Sequence, residues 1–425
     1  MRLAPDEKAM LDGEQGEAVQ AAMDLLVRYG EVLGAERLVD TDNVCGANIF
    51  GSKHTMVCGS PTPDAAFSEH SLDSPTVLEI PPVRAQSYQL IGPMDTKEWQ
   101  VQGVSQAEHD AIMESESYSA QHGIHLMNTC TPYQVGNVPV KGEHCAWMES
   151  SAVVYVNSVL GARTNVEGRE STGAAMLTSK IPYWGFHLDE NRFGSHLVNV
   201  GPDVRSSLDW GMLGYWVGEL VQEGIPVLDG ITGVPDLVKL KHFGAAAASS
   251  GGVEMYHIPG VTPEARTVDE AFGSSSAPVV LEYGAAERRL TYELLNSTAR
   301  DSDVDLVMIG CPHATLGQIR DVVRLLEGRR VHADSNLWVF TPRGLRQIAE
   351  QNGYAQALAD AGARLMSDTC PAIGQFLPEG TRVIATDSAK QVHYLPAIMK
   401  VQGLFGTLEE CVDAAVTGTW RGELS

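Results

Sequence analysis

The sequence predicts a multi-domain α/β protein with mixed sheets and flanking helices, and three observations point there. Its 425 residues exceed what one ordinary core holds and suggest about two to three packed domains. Short apolar runs that read as strands alternate with helical patterns along much of the chain. A composition of 44% hydrophobic and 20% charged residues is that of a globular protein, because disorder requires less apolar surface and more charge.

Residues Pro5 to Gly34 space Met10, Leu11, Ala18, Ala22, Leu25 and Leu26 near the helical period around Asp12-Gly13, which predicts two helices. From Leu38 to Pro93, Gly46, Gly51, Gly59, Pro61 and Pro63 interrupt any long element, leaving Thr76 to Ile80 and Ser87 to Ile91 as short strands. Ile124 to Met127 is an apolar strand that runs into Asn128-Thr129-Cys130, so a thiol falls at a strand exit. A helix is expected over Ser151 to Leu160. Further strands are read at Val198 to Val200, Pro226 to Leu228, Val253 to Ile258, Leu306 to Ile309 and Leu337 to Phe340. They alternate with helices at Trp210 to Glu223, Glu287 to Ser297, Leu316 to Leu326 and Pro342 to Asp360.

Glycine-rich patches at Asp229 to Gly233 and Ser249 to Gly252 fit neither a P-loop nor a dinucleotide fingerprint. No linker stands out, and boundaries are placed near Gly201 and Gly284. They divide an N-terminal α/β domain with substrate-pocket loops (1–200), a middle α/β segment (201–284) and a C-terminal α/β domain (285–425).

A net charge of -24 removes the clustered Lys and Arg that nucleic-acid binding requires, and the dispersed acidity reads as solubility. The N-terminus has no apolar run of signal-peptide length, and no stretch of about 18 apolar residues occurs to span a bilayer, so the expected location is the cytoplasm. Seven cysteines, an odd number in a long chain without a signal, argue for thiols or metal thiolates over disulfides.

Three of these cysteines share a local grammar: Thr129-Cys130-Thr131-Pro132, Gly310-Cys311-Pro312-His313 and Thr369-Cys370-Pro371. Each follows a strand, and the proline just downstream fixes the thiol at the exit. Three thiolates suit an iron-sulfur centre with one iron left open, which as a Lewis acid makes a hydroxyl a better leaving group. A lone cysteine is ordinarily a small buried hydrophobe, and Cys45, Cys58, Cys145 and Cys411 lack the pattern.

The motifs Thr129-Cys-Thr-Pro-Tyr133, Gly142-Glu-His144, Glu149-Ser-Ser-Ala-Val153, Asn157-Ser-Val-Leu-Gly-Ala-Arg-Thr-Asn165, Gly185-Phe-His-Leu-Asp189, Gly310-Cys-Pro-His313, Asp368-Thr-Cys-Pro371 and Thr386-Asp-Ser-Ala-Lys390 occur in this order. With them the chain resembles the large subunit of aconitase X. The resemblance implies an aconitase-like core and a hydro-lyase acting on a small hydroxy acid, cis-3-hydroxy-L-proline first and mevalonate 5-phosphate as the alternative. It implies an iron-sulfur cluster of unassigned nuclearity on Cys130, Cys311 and Cys370. It also implies a small-domain subunit of roughly 130 residues that closes over the cluster and brings the serine base. A non-catalytic iron-sulfur scaffold is the reading from another class.

Within the motifs, Ser150 and Ser151 stand at a helix start, where hydroxyls cap or bind a carboxylate. Asn157 and Arg163 suit either a carboxylate clamp or a buried network. His187 and Asp189, two apart, are expected to point the same way on a strand as a His-carboxylate pair. Lys390, after Ser388, suits neutralising a substrate anion or assisting loss of the hydroxyl. Lys390, His187 and Ser151 are thus the catalytic candidates, and Asn48, Ser150, Asn157, Arg163 and Ser388 the substrate-binding ones. The segment Asp42 to His54 differs from the His-x-x-Gly stretch usual in that family, which bears on the substrate if Asn48, Lys53 or His54 line the pocket.

Overall fold

The computed structural model describes residues 1–46, 62–202, 204–273 and 278–424. The N-terminal part contains β1 (Leu38–Asp40), β2 (Asn43–Gly46), β3 (Gln86–Gln89), β4 (Ile124–His125), β5 (Ala146–Trp147) and β6 (Lys180–Pro182). A parallel sheet runs in the order β4-β3-β2-β5, while β1 pairs antiparallel with β6. Helices Pro5–Leu11 and Glu17–Val32 cover it through Leu26, Met23 and Ala22, which are fully buried beside Val44 and Ile181. They are the two helices expected on either side of Asp12-Gly13.

The middle part is a parallel sheet of β7 (His196–Val200), β8 (Pro226–Asp229) and β9 (Val279–Tyr283), in the order β8-β7-β9. Against it lie helices Ser207–Val221 and Leu237–Gly251, which approach each other closely because the facing residues are small. A Cβ at Gly214 would stand 2.3 Å from the Phe243 carbonyl oxygen, and one at Gly251 only 1.8 Å from that of Gly218. Any side chain there would force the helices apart.

The C-terminal part is an all-parallel sheet of β10 (Leu306–Ile309), β11 (Asn336–Thr341), β12 (Arg364–Ser367), β13 (Val383–Thr386) and β14 (Gln402–Phe405), in the order β12-β11-β10-β13-β14. Its central strands are apolar at successive positions because both faces are covered. Val307, Ile309, Leu337 and Val339 enter one core, and Leu306, Met308, Trp338 and Phe340 the other. Among the described residues, no helix is long and apolar enough to cross a membrane.

Several expectations change. Thr76 to Ile80 buries Leu78 and Ile80 in alternation, but it has no ladder partner among the described residues and is not a strand. Val253 to Ile258 likewise forms, among the described residues, only a bridge, His257 to Val227 at the edge of β8. The pattern from Pro342 to Asp360 splits into helices Arg343–Gln351 and Tyr354–Asp360 around Gly353 at φ 76°. Helix Pro63–Leu72 was hidden by weak apolar periodicity.

Candidate active site

The C-terminal ends of two parallel sheets meet at one cavity, the place where open α/β sheets ordinarily bind ligands. On the N-terminal side, the chain beyond β3 brings Ile91, the exit of β4 brings Cys130, and the exit of β5 brings Glu149. From the C-terminal side come Cys311 beyond β10, Cys370 beyond β12 and Lys390 beyond β13. The sheets are tied by the Gly92 N–H, which donates to Asp368 O at 2.6 Å, and by the Thr369 hydroxyl, which donates to Pro93 O at 3.0 Å.

The cavity, of about 270 Å³, is walled by Cys130, Cys311, Cys370, Ser150, Ser151, Glu149 and Lys390, with Ile91, Pro312, Ile373 and Ile398 as its apolar surface. Turning the chain toward it after β10 requires Gly310, at φ 101°. A Cβ there would lie 2.2 Å from Phe340 O.

Each of the three sulfurs has a donor suited to a thiolate. The His313 N–H reaches Cys130 Sγ at 3.4 Å, the Ser388 hydroxyl faces Cys311, and the backbone N–H groups of Ala372 and Ile373 face Cys370. As free thiols all three are held protonated: burial pushes Cys370 up to about 12 and raises Cys130 and Cys311 as well. Among the described residues, no three His, Cys, Asp or Glu side chains converge to hold a single metal ion. The sulfurs line a shared wall, and a sulfide-bridged cluster is large enough to take ligands from a wall, with N–H donors to sulfur as its usual company. The residues fit such a group.

Lys390 Nζ donates to Glu149 Oε1 at 2.5 Å, and the Ser151 hydroxyl donates to the same oxygen at 3.0 Å. Burial works against both charges. Even so, the Glu149 carboxylate holds Lys390 above the usual lysine range, while Lys390 and Ser151 hold Glu149 below the usual carboxylate range. The pair is therefore ionised at neutral pH. Behind Cys311, the fully buried Lys241 donates to Pro312 O at 3.0 Å and to His313 O at 2.7 Å. Burial pushes Lys241 down, and the Asp387 carboxylate pulls it back.

The structure thus brings together Cys130, Cys311, Cys370, Ser150, Ser151 and Lys390. Ser388 stands just behind, facing Cys311 and capping helix Ala389–Met399 by accepting from Gln391 N at 3.1 Å. Asn48 lies outside the described residues. Other candidates are placed elsewhere, among the residues that do not line the cavity. Helix Ser150–Tyr155 passes into a π turn, Val156–Leu160, where fully buried Asn157 donates to Thr164 O and Glu254 O and accepts from Thr164 N.

Arg163 donates to the Asp189 carboxylate and to His187 O at 2.8 Å, the arrangement of a structural network. The expected His187–Asp189 pair is corrected too. Both residues sit in 3-10 turns, Asp189 turns to Arg163, and His187 Nδ1 lies 2.9 Å from His144 Nδ1. Burial lowers His187 to about 3, so it is a neutral imidazole. Glu149 and Lys241 were missed as site residues. A lysine inside the largely apolar run Leu240 to Ala248 was the available signal for Lys241.

Similarity to known proteins supplies the class, a hydro-lyase, for the relatives are dehydratases. The phosphomevalonate dehydratase large subunit of Methanocaldococcus jannaschii is 34% identical over 418 residues, 96% of this chain and 99% of that one. That of Methanothermobacter thermautotrophicus is 37% identical over 94% of this chain and 95% of its own length. The cis-3-hydroxy-L-proline dehydratase of Pseudomonas aeruginosa is 35% identical over 98% of this chain and 70% of its own length.

The chain belongs to the aconitase X family: residues 1–190 match the Aconitase X first domain, 194–293 the second and 304–417 the third. The crystal structure of Thermococcus kodakaraensis aconitase X in its holo form matches with a TM-score of 0.83 at 28% identity, covering 98% of this chain and 100% of that one.

Proposed function

We propose that this chain, joined by a small-domain subunit of roughly 130 residues, removes water from a small hydroxy acid, and that cis-3-hydroxy-L-proline is its substrate. The observation that carries this is the meeting of three donor-backed thiols and one ionised Lys390–Glu149 pair at a single cavity. Cys130, Cys311 and Cys370 would hold an iron-sulfur cluster, which when bound supplies a Lewis acid toward the leaving hydroxyl.

Lys390 supplies a fixed positive charge that orients the substrate carboxylate or offers a proton to the departing hydroxyl. Ser150 and Ser151 present hydroxyls beside it. Lys390 carries its proton throughout the neutral range, and Glu149 is neutralised by it, so the base that takes the carbon-bound proton is assigned to the small subunit. Loss of the Cα proton and the C3 hydroxyl leaves an enamine that tautomerises to a cyclic imine.

The substrate choice rests on charge. Among the described residues, Lys390 is the cation lining the cavity and is already paired, which suits a carboxylate on a small ring better than a carboxylate plus a phosphate. Mevalonate 5-phosphate is the second reading, favoured by the near full-length match to large subunits named for it. Both subunits purified together without oxygen should dehydrate hydroxyproline. Turnover of phosphomevalonate alone would replace the substrate, and turnover of neither by a complex with its chromophore intact would overturn the dehydratase reading.

A further inference from the structure

Three cysteine loops from distant parts of the chain are joined by one imidazole. His313 Nδ1 lies 2.9 Å from the hydroxyl of Thr129, the residue before Cys130. Its Nε2 lies 3.1 Å from the carbonyl of Thr369, the residue before Cys370. Its own backbone follows Cys311 by two residues, and its N–H donates to Cys130 Sγ.

The partners fix the tautomer. A carbonyl oxygen only accepts, so Nε2 carries the proton and Nδ1 accepts from Thr129 Oγ1. The Thr129 oxygen in turn accepts from Thr131 N at 3.0 Å, which sets that loop's turn. His313 is 1% exposed, and its backbone carbonyl accepts from Gln134 Nε2 at 2.9 Å and from Lys241 Nζ at 2.7 Å. Every polar atom of the residue is therefore committed to a segment adjoining one of the three thiols or to its clamp.

We propose that His313 is the positioning residue of the thiol wall: it sets the three cysteine loops at fixed separations before any metal arrives. Pre-organisation of this kind makes release of the bound group slower, because the ligands do not relax apart when one bond breaks. This role rests on the proposed cluster assignment for its metal readout, but the thiol spacing itself does not.

Two measurements separate the questions. In the metal-free chain, a bifunctional arsenical that bridges pairs of thiols reads their separation directly. In the reconstituted complex, the visible charge-transfer bands and the rate of iron loss to a chelator read the ligand set.

His313→Ala is expected to weaken arsenical bridging and speed iron loss by about tenfold or more, with shifted bands and partial rescue by added imidazole. Thr129→Val keeps the ring and removes one of its bonds. It should move both readouts in the same direction by less, and it serves where His313→Ala fails to fold. Wild-type bridging and iron retention in a folded variant would overturn the proposal. If the wild-type complex binds no iron, the cluster assignment fails by itself, and the arsenical result still decides the role of His313.

Discussion

Two polar clusters in this molecule look alike as sequence and differ as structure. One contains Cys130, Cys311, Cys370, Glu149 and Lys390. The other contains Asn157, Arg163, His187, Asp189 and Arg192. In the second, nearly every donor ends on a backbone carbonyl or a carboxylate: Arg192 alone reaches Phe186 O, Asn157 O, Ala162 O and Glu264. In the first, the polar groups are held from behind and their front edges face a cavity. The lesson is that buried polarity signals chemistry when it is oriented toward open space, and signals architecture when its bonds close on the fold.

This contrast can be broken by substitutions that trade function against stability. The largest effect is expected from Cys311→Ser in the reconstituted complex, which should abolish both the visible absorption and turnover. Normal absorption in each of the Cys130, Cys311 and Cys370 variants would refute the wall as a ligand set. Lys390→Met should keep the absorption and lower kcat by about a hundredfold or more, the range typical of a lost charged or proton-transferring group, measured by steady-state assay.

On the other cluster's flank, burial pushes Glu167 up to about 7, against the pull of the Ser171 hydroxyl and the Asn165 amide. The folded state then holds this proton more tightly than the unfolded one, so stability falls as pH rises from about 4.5 to 7 and stays lower above. Glu167→Gln should stabilise the fold by about 3 kcal/mol above pH 7, with the gain shrinking to nothing near pH 4.5, as read by denaturant titration. The smallest change belongs to Arg163→Ala, whose partner Asp189 is largely exposed: about 1 kcal/mol or less of stability, with kcat unmoved. A large kcat loss in that variant would return Arg163 to the substrate site.

The thiol wall was legible in the sequence because its signal is local. A strand, a cysteine and a proline within a few residues place a thiol at a sheet's end whatever the rest of the fold does. The C-terminal strands were legible for a similar reason, as runs such as Leu306 to Ile309 are apolar at every position. His187 misled because side-chain type carries no record of where a bond will close, and Asp189, expected beside it, was claimed by Arg163, for which the sequence left a clamp and a network both open. His313 was visible only as part of a motif. Its partners Thr129 and Thr369 lie 184 and 56 residues away, so only tertiary structure shows the junction.

The contact between Gly92 and Asp368 has a consequence for the life of the protein. Because it joins sheets built from opposite ends of the chain, a nascent polypeptide whose N-terminal half has folded displays one of the three sulfurs and lacks the wall. Completion of the thiol wall therefore waits until the last sheet has docked against the first.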